Sequence, residues 1–581
     1  MRAYAGGVPA GQDGAVKPSI RAGLAGVGAA AAALGVAELV AVVTGDRSSP
    51  LVAVGGVVVD HVPAPVKDFG IAVFGVHDKT ALLVGTVVLL AAYAYGVGLL
   101  ARRRWSWAVG GIALFGLAGA VAAVTRPGAG PAAVVPSLGG AAVAVLVLRH
   151  LSRLSQSAAP DPAPAAVTTG PASGAAAGPS SGAVPGPPSG AVPGSPFGTT
   201  GPEERGATAG AGEPASFVEP GGSGPYRIQE SRRRFLRDLG IVAGVAALAG
   251  VGGRLLTSRR AVTVARESVA LPVAVEAAPV LPAGVQAPGA VPFVTANRDF
   301  YRIDTALVTP QVDPATWELR IHGMVRNPIT ITWEDLLKRP MVERHVTIAC
   351  VSNEVGGDLI GTARWLGTPI KALLDEADPL PGADQAVQRS VDGWTCGTPT
   401  AVLRDGRDAL LAIGMNGEPL PVAHGFPARM IVPGLYGYVS ACKWITEIEL
   451  TRFVDFDAYW VPRGWSAQAP VKTQSRIDSP RHGAVKPAGP VVVAGVAWAT
   501  HRGIAKVEVQ VDDGPWQDAQ LAPAASADTW RQWSLTWPAS TGQHTLRVRA
   551  TDLDGVTQTP EEAPPAPDGA TGWHQVNIEI G

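Results

Sequence analysis

Four long apolar runs that carry almost no charge lie in the first quarter of the chain. A helix of about 20 apolar residues is long enough to cross a bilayer. We therefore predict a transmembrane region over residues 1–155 with about four spans: Ala22–Val43, Ala81–Leu100, Trp107–Val124 and Ala132–Leu148. Between the first two spans, Leu51–Phe74 is apolar but interrupted by charges and prolines, which favours a re-entrant or interfacial hairpin.

Basic residues orient these spans. Lys17 and Arg21, then Arg102–Arg104, then Arg149 and Arg153 fall on alternate ends of successive runs. Because loops rich in Lys and Arg stay on the cytoplasmic side, all three groups are predicted to be cytoplasmic. The net charge of the chain is −1, which gives no support for nucleic-acid binding.

A basic motif followed by an apolar stretch lies beyond a long linker. Residues 156–228 are dominated by Ala, Gly, Pro and Ser and are predicted to be a disordered linker. Residues 229–257 then carry Ser231-Arg232-Arg233-Arg234-Phe235-Leu236-Arg237 before a mild apolar stretch. This segment is either an ordinary fifth anchor helix or a twin-arginine export signal, whose Ser-Arg-Arg-x-Phe-Leu-Lys consensus it resembles. That export route carries folded proteins, so we expect a multi-pass cell-membrane protein with a cofactor-loaded domain on the extracytoplasmic side.

Residues 288–480 have the pattern of a soluble α+β domain. Alternation over Trp317–Val325 predicts a strand, and Thr332–Leu337 begins a short helix with a threonine cap. Thr368 and Pro369 open a second amphipathic helix. Another predicted strand, His345–Cys350, ends in a thiol followed by a glycine-bearing loop. With three cysteines in the chain, a cage of cysteines is unavailable, so Cys350 is either a buried free thiol or a single soft metal ligand.

Several motifs in a fixed order carry a family resemblance. They are Asn297-Arg298-Asp299-Phe300-Tyr301, Thr347-Ile348-Ala349-Cys350-Val351-Ser352-Asn353, Trp365-Leu366-Gly367-Thr368-Pro369, Val391-Asp392-Gly393-Trp394, His424-Gly425-Phe426-Pro427-Ala428-Arg429, Tyr436-Gly437 and Lys443-Trp444. Together, Asn297–Phe453 resembles the molybdenum domain of the sulfite oxidase family of molybdopterin enzymes. The resemblance implies a molybdopterin cofactor and oxygen-atom transfer.

The resemblance also implies roles for individual residues. Cys350 would be the one protein ligand of molybdenum. The residues implied in cofactor binding are Asn297, Phe300, Tyr301, Asp392, His424, Arg429, Gly437 and Lys443. Arginine offers a bidentate fork and lysine a point charge to the phosphate of the cofactor. Taken without the family, Asn297 could cap a turn, Phe300 and Tyr301 could be core residues, and His424 could be structural.

The loop after the cysteine departs from the family pattern. Sulfite oxidases follow the asparagine of the loop with arginines, whereas this chain has Glu354-Val355-Gly356-Gly357. An acidic residue beside the metal would repel sulfite. Cations that could compensate are Arg364, Arg463 and Lys472, and we take Arg463, in an aromatic segment that could close the pocket, as a candidate catalytic residue. Sulfite or a related sulfur compound, a sulfoxide or N-oxide to be reduced, and an inactive cell-surface binding protein all remain open.

Two further expectations concern partners and cysteines. His61, His77 and His150 form no facing pair within the predicted spans, so no haem is expected in this chain. Electrons would then pass to or from a separate carrier, such as a cytochrome or a quinone-linked protein. Cys396 and Cys442 are interpreted as structural residues that could pair in an oxidising compartment.

Residues 485–581 read as short alternating strands joined by Gly and Asp turns. This pattern is typical of an immunoglobulin-like sandwich. The segment resembles the C-terminal dimerisation domain of the same family, which implies a homodimer, while an independent binding module is the alternative. The predicted fold class is thus an α+β molybdopterin-binding domain plus an immunoglobulin-like β-sandwich, preceded by an α-helical transmembrane region.

Overall fold

The computed structural model describes residues 18–44, 48–61, 78–125, 129–156, 234–246, 248, 258–306 and 308–581. Residues 157–228 of the predicted linker lie outside these ranges. So do residues 231–233 of the twin-arginine motif and residues 62–74 of the predicted hairpin.

The N-terminal region is helical. Its helices are α1 (Pro18–Thr44), α2 (Pro50–His61), α3 (Asp78–Arg103), α4 (Trp105–Val124) and α5 (Val135–Gln156). Among the residues that the structure describes, four stretches are long and apolar enough to cross a membrane, as predicted: Pro18–Thr44, Val84–Arg103, Trp105–Val124 and Pro131–Leu154. Helix α2 has 12 residues, which is too short to cross, and it begins the predicted hairpin segment.

Small residues let these helices approach one another closely. Gly26 on α1 faces Gly98 on α3, where a side chain on either residue would meet the backbone of the other helix. A further helix, α6 (residues 234–246), packs on α1: Phe235 is buried, and Leu239 lies against Gly28. The apolar segment after the arginine motif therefore joins the bundle.

In the described part of the central domain there are three α-helices and ten strands. The helices are α7 (Ser258–Ser268), α8 (Trp333–Leu337) and α9 (Ile370–Ala377). The strands are β1 (Glu318–Gly323), β2 (Ile329–Thr332), β3 (Val342–Ala349), β4 (Ile360–Pro369), β5 (Gln385–Ser390), β6 (Thr395–Pro399), β7 (Leu410–Met415), β8 (Glu418–Pro419), β9 (Arg429–Ile431) and β10 (Ile445–Thr451). One sheet has the order β2-β1-β10-β5-β6 and the other β3-β4-β7-β8, with β9 also paired to β7.

A local sequence signal explains the start of α8. Thr332 caps α8 in a reciprocal capping box with Asp335. The predicted cap of the second helix was wrong, because Thr368 lies inside β4 and Pro369 occupies the cap position of α9. Strand β3 ends at Ala349, so Cys350 is the first residue beyond it.

The C-terminal module is a β-sandwich, as predicted. Its strands are β11 (Gln474–Ser479), β12 (Val485–Lys486), β13 (Gly489–Trp498), β14 (Ile504–Val511), β15 (Trp516–Asp518), β16 (Gln520–Leu521), β17 (Arg531–Ala539), β18 (Gly542–Asp552) and β19 (His574–Ile580). The two sheets have the orders β11-β13-β17-β16 and β12-β19-β18-β14-β15. Fully buried Val493, Trp533 and Val548 belong to the core between them.

The sandwich is joined to the central domain by buried hydrogen bonds. The Trp530 backbone N–H donates to Thr347 Oγ1 on β3 at 2.8 Å. The Trp530 indole N–H donates to the Phe293 carbonyl at 3.0 Å. The strand that leads to Cys350 is therefore supported directly by the C-terminal module.

Candidate active site

A cavity of about 790 Å³, its open mouth included, lies in the central domain beside the end of β3. Its lining contains eight of the ten residues that we predicted for the site: Phe300, Tyr301, Cys350, Asp392, His424, Arg429, Gly437 and Lys443. Residues far apart in sequence meet here: Cys350 follows β3, Arg429 begins β9 and Lys443 precedes β10. The structure therefore brings most of the predicted set together.

Cys350 lies at the start of the loop after β3 and is buried. Its backbone N–H donates to the Leu359 carbonyl at 2.9 Å, and the Asn353 side chain accepts from Leu359 N at 2.8 Å. Burial raises the pKa of the Cys350 thiol, while hydrogen bonds from Ser352 act in the opposite direction. A single buried thiol on an ordered loop suits a soft metal with one protein ligand.

Two buried cations lie at another part of the cavity. Burial lowers the pKa of Arg429 to about 10 and that of Lys443 to about 8. Lys443 Nζ is 2.9 Å from Asp304 Oδ2, so its charge has a partner. The Arg429 guanidinium donates to the carbonyls of His424 and Ala441, and no carboxylate contacts it within the described residues. A buried guanidinium without an anion is costly, and this site therefore fits an anionic group such as a phosphate.

His424 is neutral in this setting. Burial, together with the charges of Arg429 and Lys443, lowers the pKa of His424 to about 4. Its Nε2 lies 3.1 Å from the Asn297 carbonyl oxygen, to which it can donate a hydrogen bond. The imidazole thus offers a neutral polar group beside the two cations.

Two predicted site residues do not line the cavity. The Asn297 side chain donates to the Met415 carbonyl and to Glu418, and accepts from Asn416. It holds the β7–β8 hairpin, and only its backbone carbonyl reaches His424.

Arg463 also lies outside the cavity lining. Its guanidinium carbon is 3.7 Å from the centre of the Tyr459 ring, and it donates to the Tyr459 carbonyl. From the same aromatic segment, Trp460 lines the cavity instead.

The other two candidate cations are engaged elsewhere. Lys472 Nζ lies 2.8 Å from Asp568 Oδ1 and 2.7 Å from the Gly569 carbonyl. Arg364 Nε lies 3.6 Å from Glu343. Neither lines the cavity, and the acidic Glu354 does not line it either.

Cys396 and Cys442 are free thiols in the structure. Cys396 Sγ donates to Gln388 Oε1 at 3.2 Å, and Cys442 N donates to the same oxygen at 3.4 Å. The Cys396 thiol and the Cys442 backbone thus share a partner, and the two sulfur atoms form no bond to each other.

Several residues near the site were not predicted. Asp304 balances Lys443, and no motif signals it. Tyr436 lies in the Tyr436-Gly437 motif. Burial raises its pKa to about 12, and the charge of Cys350 makes a smaller contribution in the same direction. Its hydroxyl accepts from Lys472 N at 3.4 Å.

The C-terminal module holds the loop that follows Cys350. Arg476 Nη1 donates to the Gly357 carbonyl at 2.8 Å, and Arg476 is itself paired with buried Asp478. The His574 ring lies so close to Gly356 that a Cβ there would be 2.1 Å from His574 Cδ2. No sequence signal could connect these residues to the loop, because their spacing in the chain exceeds 100 positions.

Comparison with known proteins agrees with this geometry. A family model described as the oxidoreductase molybdopterin binding domain matches residues 306–460, and a bacterial Ig domain model matches 474–548. The chain is 31% identical over 155 residues to the uncharacterized oxidoreductase YuiH of Bacillus subtilis, covering 26% of this chain and 74% of that protein. The chain belongs to the sulfite oxidase family of molybdopterin-dependent oxidoreductases.

Other members of the family match over longer stretches. Human mitochondrial sulfite oxidase is 28% identical over 341 residues, covering 50% of this chain and 62% of that protein. The chain thus spans less than two thirds of the length of that relative. The catalytic subunit MsrP, a protein-methionine-sulfoxide reductase of Gluconobacter oxydans, is 30% identical over 216 residues, covering 32% of this chain and 65% of that protein. The crystal structure of the sulfane dehydrogenase SoxCD from Paracoccus pantotrophus superposes with a TM-score of 0.43 at 24% identity, covering 50% of this chain and 85% of that one.

Family membership confirms the predicted cofactor class and fold class. The molybdopterin-binding match contains Cys350 and all but two of the cavity-lining residues that we predicted, since Phe300 and Tyr301 precede it. The Ig-domain match begins at the first strand of the sandwich.

Proposed function

We propose that the chain is a membrane-anchored molybdopterin-dependent oxidoreductase that transfers an oxygen atom to or from a sulfur centre. The observation that carries the proposal is the cavity itself. Within it, a buried thiol, Cys350, shares one space with two buried cations, Arg429 and Lys443. One of these cations has no carboxylate partner among the described residues.

Each residue has a role in holding the cofactor under this proposal. Cys350 would ligate molybdenum, since metal coordination favours the thiolate despite its burial. Arg429 and Lys443 would bind the phosphate, and neutral His424 would donate a hydrogen bond to the pterin end. When bound, the cofactor supplies a two-electron redox change. The chain contributes the ligand, the counter-charges and the exclusion of water.

Two substrate classes remain candidates, and they differ in whether the substrate carries a negative charge. Sulfite or a related sulfur oxyanion follows the human relative, but such an anion requires cations at the mouth of the site. Here none of the candidate cations Arg364, Arg463 and Lys472 lines the cavity, and Lys472 is neutralised by Asp568. This arrangement favours the second candidate, a neutral sulfoxide, which is the class that the MsrP name describes. N-oxides share that lack of charge.

Metal analysis of matched variants tests the proposal. The full chain would be purified as wild type, as Cys350→Ser and as Cys396→Ser, which removes a buried thiol outside the cavity. We expect Cys350→Ser to lose bound molybdenum and redox activity, and Cys396→Ser to keep both. If Cys350→Ser retained wild-type molybdenum and activity, the assignment of Cys350 as the metal ligand would be wrong, whereas a wild-type chain without molybdenum and without activity would indicate the inactive binding protein. Assays of sulfite oxidation against reduction of methionine sulfoxide then separate the two substrate classes.

Localisation is part of the proposal. Four apolar helices that could cross a membrane support anchoring, and the arginine motif supports export of the catalytic domain to the extracytoplasmic side. Replacing Arg232 and Arg233 by lysine keeps their charge, so an ordinary anchor helix would still insert. If the twin-arginine signal operates, this variant leaves the catalytic domain inaccessible to protease added outside the cell, whereas unchanged accessibility would favour the ordinary anchor. Electrons would pass to or from a separate carrier, and the sandwich would supply the dimer contact.

A further inference from the structure

We propose that one face of the catalytic domain, formed by α7 and residues 269–280, lies against the surface of the lipid bilayer. This inference rests on the membrane anchoring proposed above. Val264, Val273 and Val275 would be the side chains that contact lipid. The argument depends on the path of the chain, on the direction of these side chains and on their exposure.

The chain path keeps this face close to the membrane. Leu239 on α6 lies against Gly28 on α1, and Ala246 lies against Gly35. Each pair advances by seven residues, so α6 runs parallel to α1. Helix α1 ends at Thr44, nine residues after Gly35 or roughly 14 Å along its axis.

The connection to the catalytic domain is short. Twelve positions separate the end of α6 at residue 246 from the start of α7 at Ser258. Chain length alone limits the distance to roughly 40 Å. The sequence of the first turn of α7 contains Arg259 and Arg260, which suit lipid headgroups.

The segment after α7 crosses one sheet from edge to edge. Arg266 donates to the carbonyls of Pro419 and Leu420, beside β8. Leu271 lies beside Gly414 on β7, and Val275 N donates to the Met341 carbonyl, next to β3, at 2.8 Å. The chain therefore forms an outer layer over the β3-β4-β7-β8 sheet.

Side chains within this layer alternate between the core and the exterior. Val262, Leu271 and Ala274 pack against the hydrophobic cores of the domain. Val264, Val273 and Val275 point away, and their side chains are 63%, 91% and 74% exposed.

Charge is low in the segment that follows α7. Between Val269 and Val285 the only charged residue is Glu276, and it is paired with Arg344 at 2.8 Å. A helix with basic residues followed by a low-charge segment of exposed valines, joined to the membrane helices by a short connection, has the properties of an interfacial surface.

Lipid-borne quenching tests this placement without disturbing the fold, because the labelled positions are exposed. Single cysteines would be introduced and labelled with a fluorophore in the full chain, reconstituted in phosphatidylcholine nanodiscs with and without nitroxide-labelled lipid. The native cysteines are all buried and would react poorly. The test positions are Val264, Val273 and Val275. The matched controls are Val454 and Val485, which lie elsewhere on the protein and are 83% and 67% exposed. Leu89 on α3 is 73% exposed and reports contact of the predicted spans with the bilayer.

We expect nitroxide lipid to cause loss of fluorescence at the three test positions and at Leu89, and no loss at Val454 or Val485. If Leu89 is quenched but the three test positions are not, the docking surface is refuted and the membrane anchor stands. Absence of quenching at Leu89 would refute the anchor, and the docking surface with it.

Discussion

A methyl group added at Gly356 tests how the sandwich holds the loop after Cys350. Gly356 has a φ of 78°, and a left-handed conformation costs a residue with a Cβ about 1–2 kcal/mol. That Cβ would also lie 2.1 Å from His574 Cδ2 and 2.4 Å from Nε2, and such overpacking adds about 1–3 kcal/mol. Gly356→Ala should therefore lower the free energy of unfolding by about 2–5 kcal/mol.

A matched glycine separates the two contributions. Gly382 has a φ of 86° and no heavy atom within 4 Å of its Cβ position, so Gly382→Ala should lose the backbone contribution alone. Urea unfolding followed by tryptophan fluorescence measures both variants. Combining Gly356→Ala with His574→Ala removes the steric contact, so the double variant should be more stable than the sum of the single effects predicts, by about 1–3 kcal/mol. Strictly additive effects of the two substitutions would refute a direct contact between the module and the loop.

Three further predictions follow from buried groups. Asp304→Asn leaves Lys443 buried without a carboxylate and should destabilise the domain by about 3–5 kcal/mol in urea unfolding, with partial recovery when Lys443→Met is added. Burial lowers the pKa of His574 from its usual value to about 4, so the native state binds fewer protons than the unfolded state. Stability should then fall by about 3 kcal/mol as the pH decreases from 6.5 to 4, and His574→Gln should flatten that part of the pH profile. Thr347→Val removes the buried acceptor of a backbone N–H and should cost about 1–3 kcal/mol, whereas Thr557→Val in an exposed pair should stay within about 0.5 kcal/mol.

Much of the site could be predicted because the residues that carry it lie in short local motifs. Tyr301, Cys350 and Lys443 each belong to such a motif, and all three line the cavity. Asn297 also belongs to one, yet its amide faces the β7–β8 hairpin. A motif therefore indicates that a residue is near the cofactor without indicating the direction of its side chain.

The sequence by itself determined the features that depend on neighbouring residues: the apolar lengths that can span a bilayer, the alternation of the sandwich strands, the cap at Thr332 and the thiol at the end of β3. Tertiary structure decided the features that depend on distant residues. Asp304 reaches Lys443, Asp568 neutralises Lys472, and His574 closes over Gly356, although more than 90 positions separate the members of each pair. The physical reason is that hydrophobic periodicity and capping act within a few residues. Charge pairing and steric contact act through space, and their partners exist only after the sheets have packed.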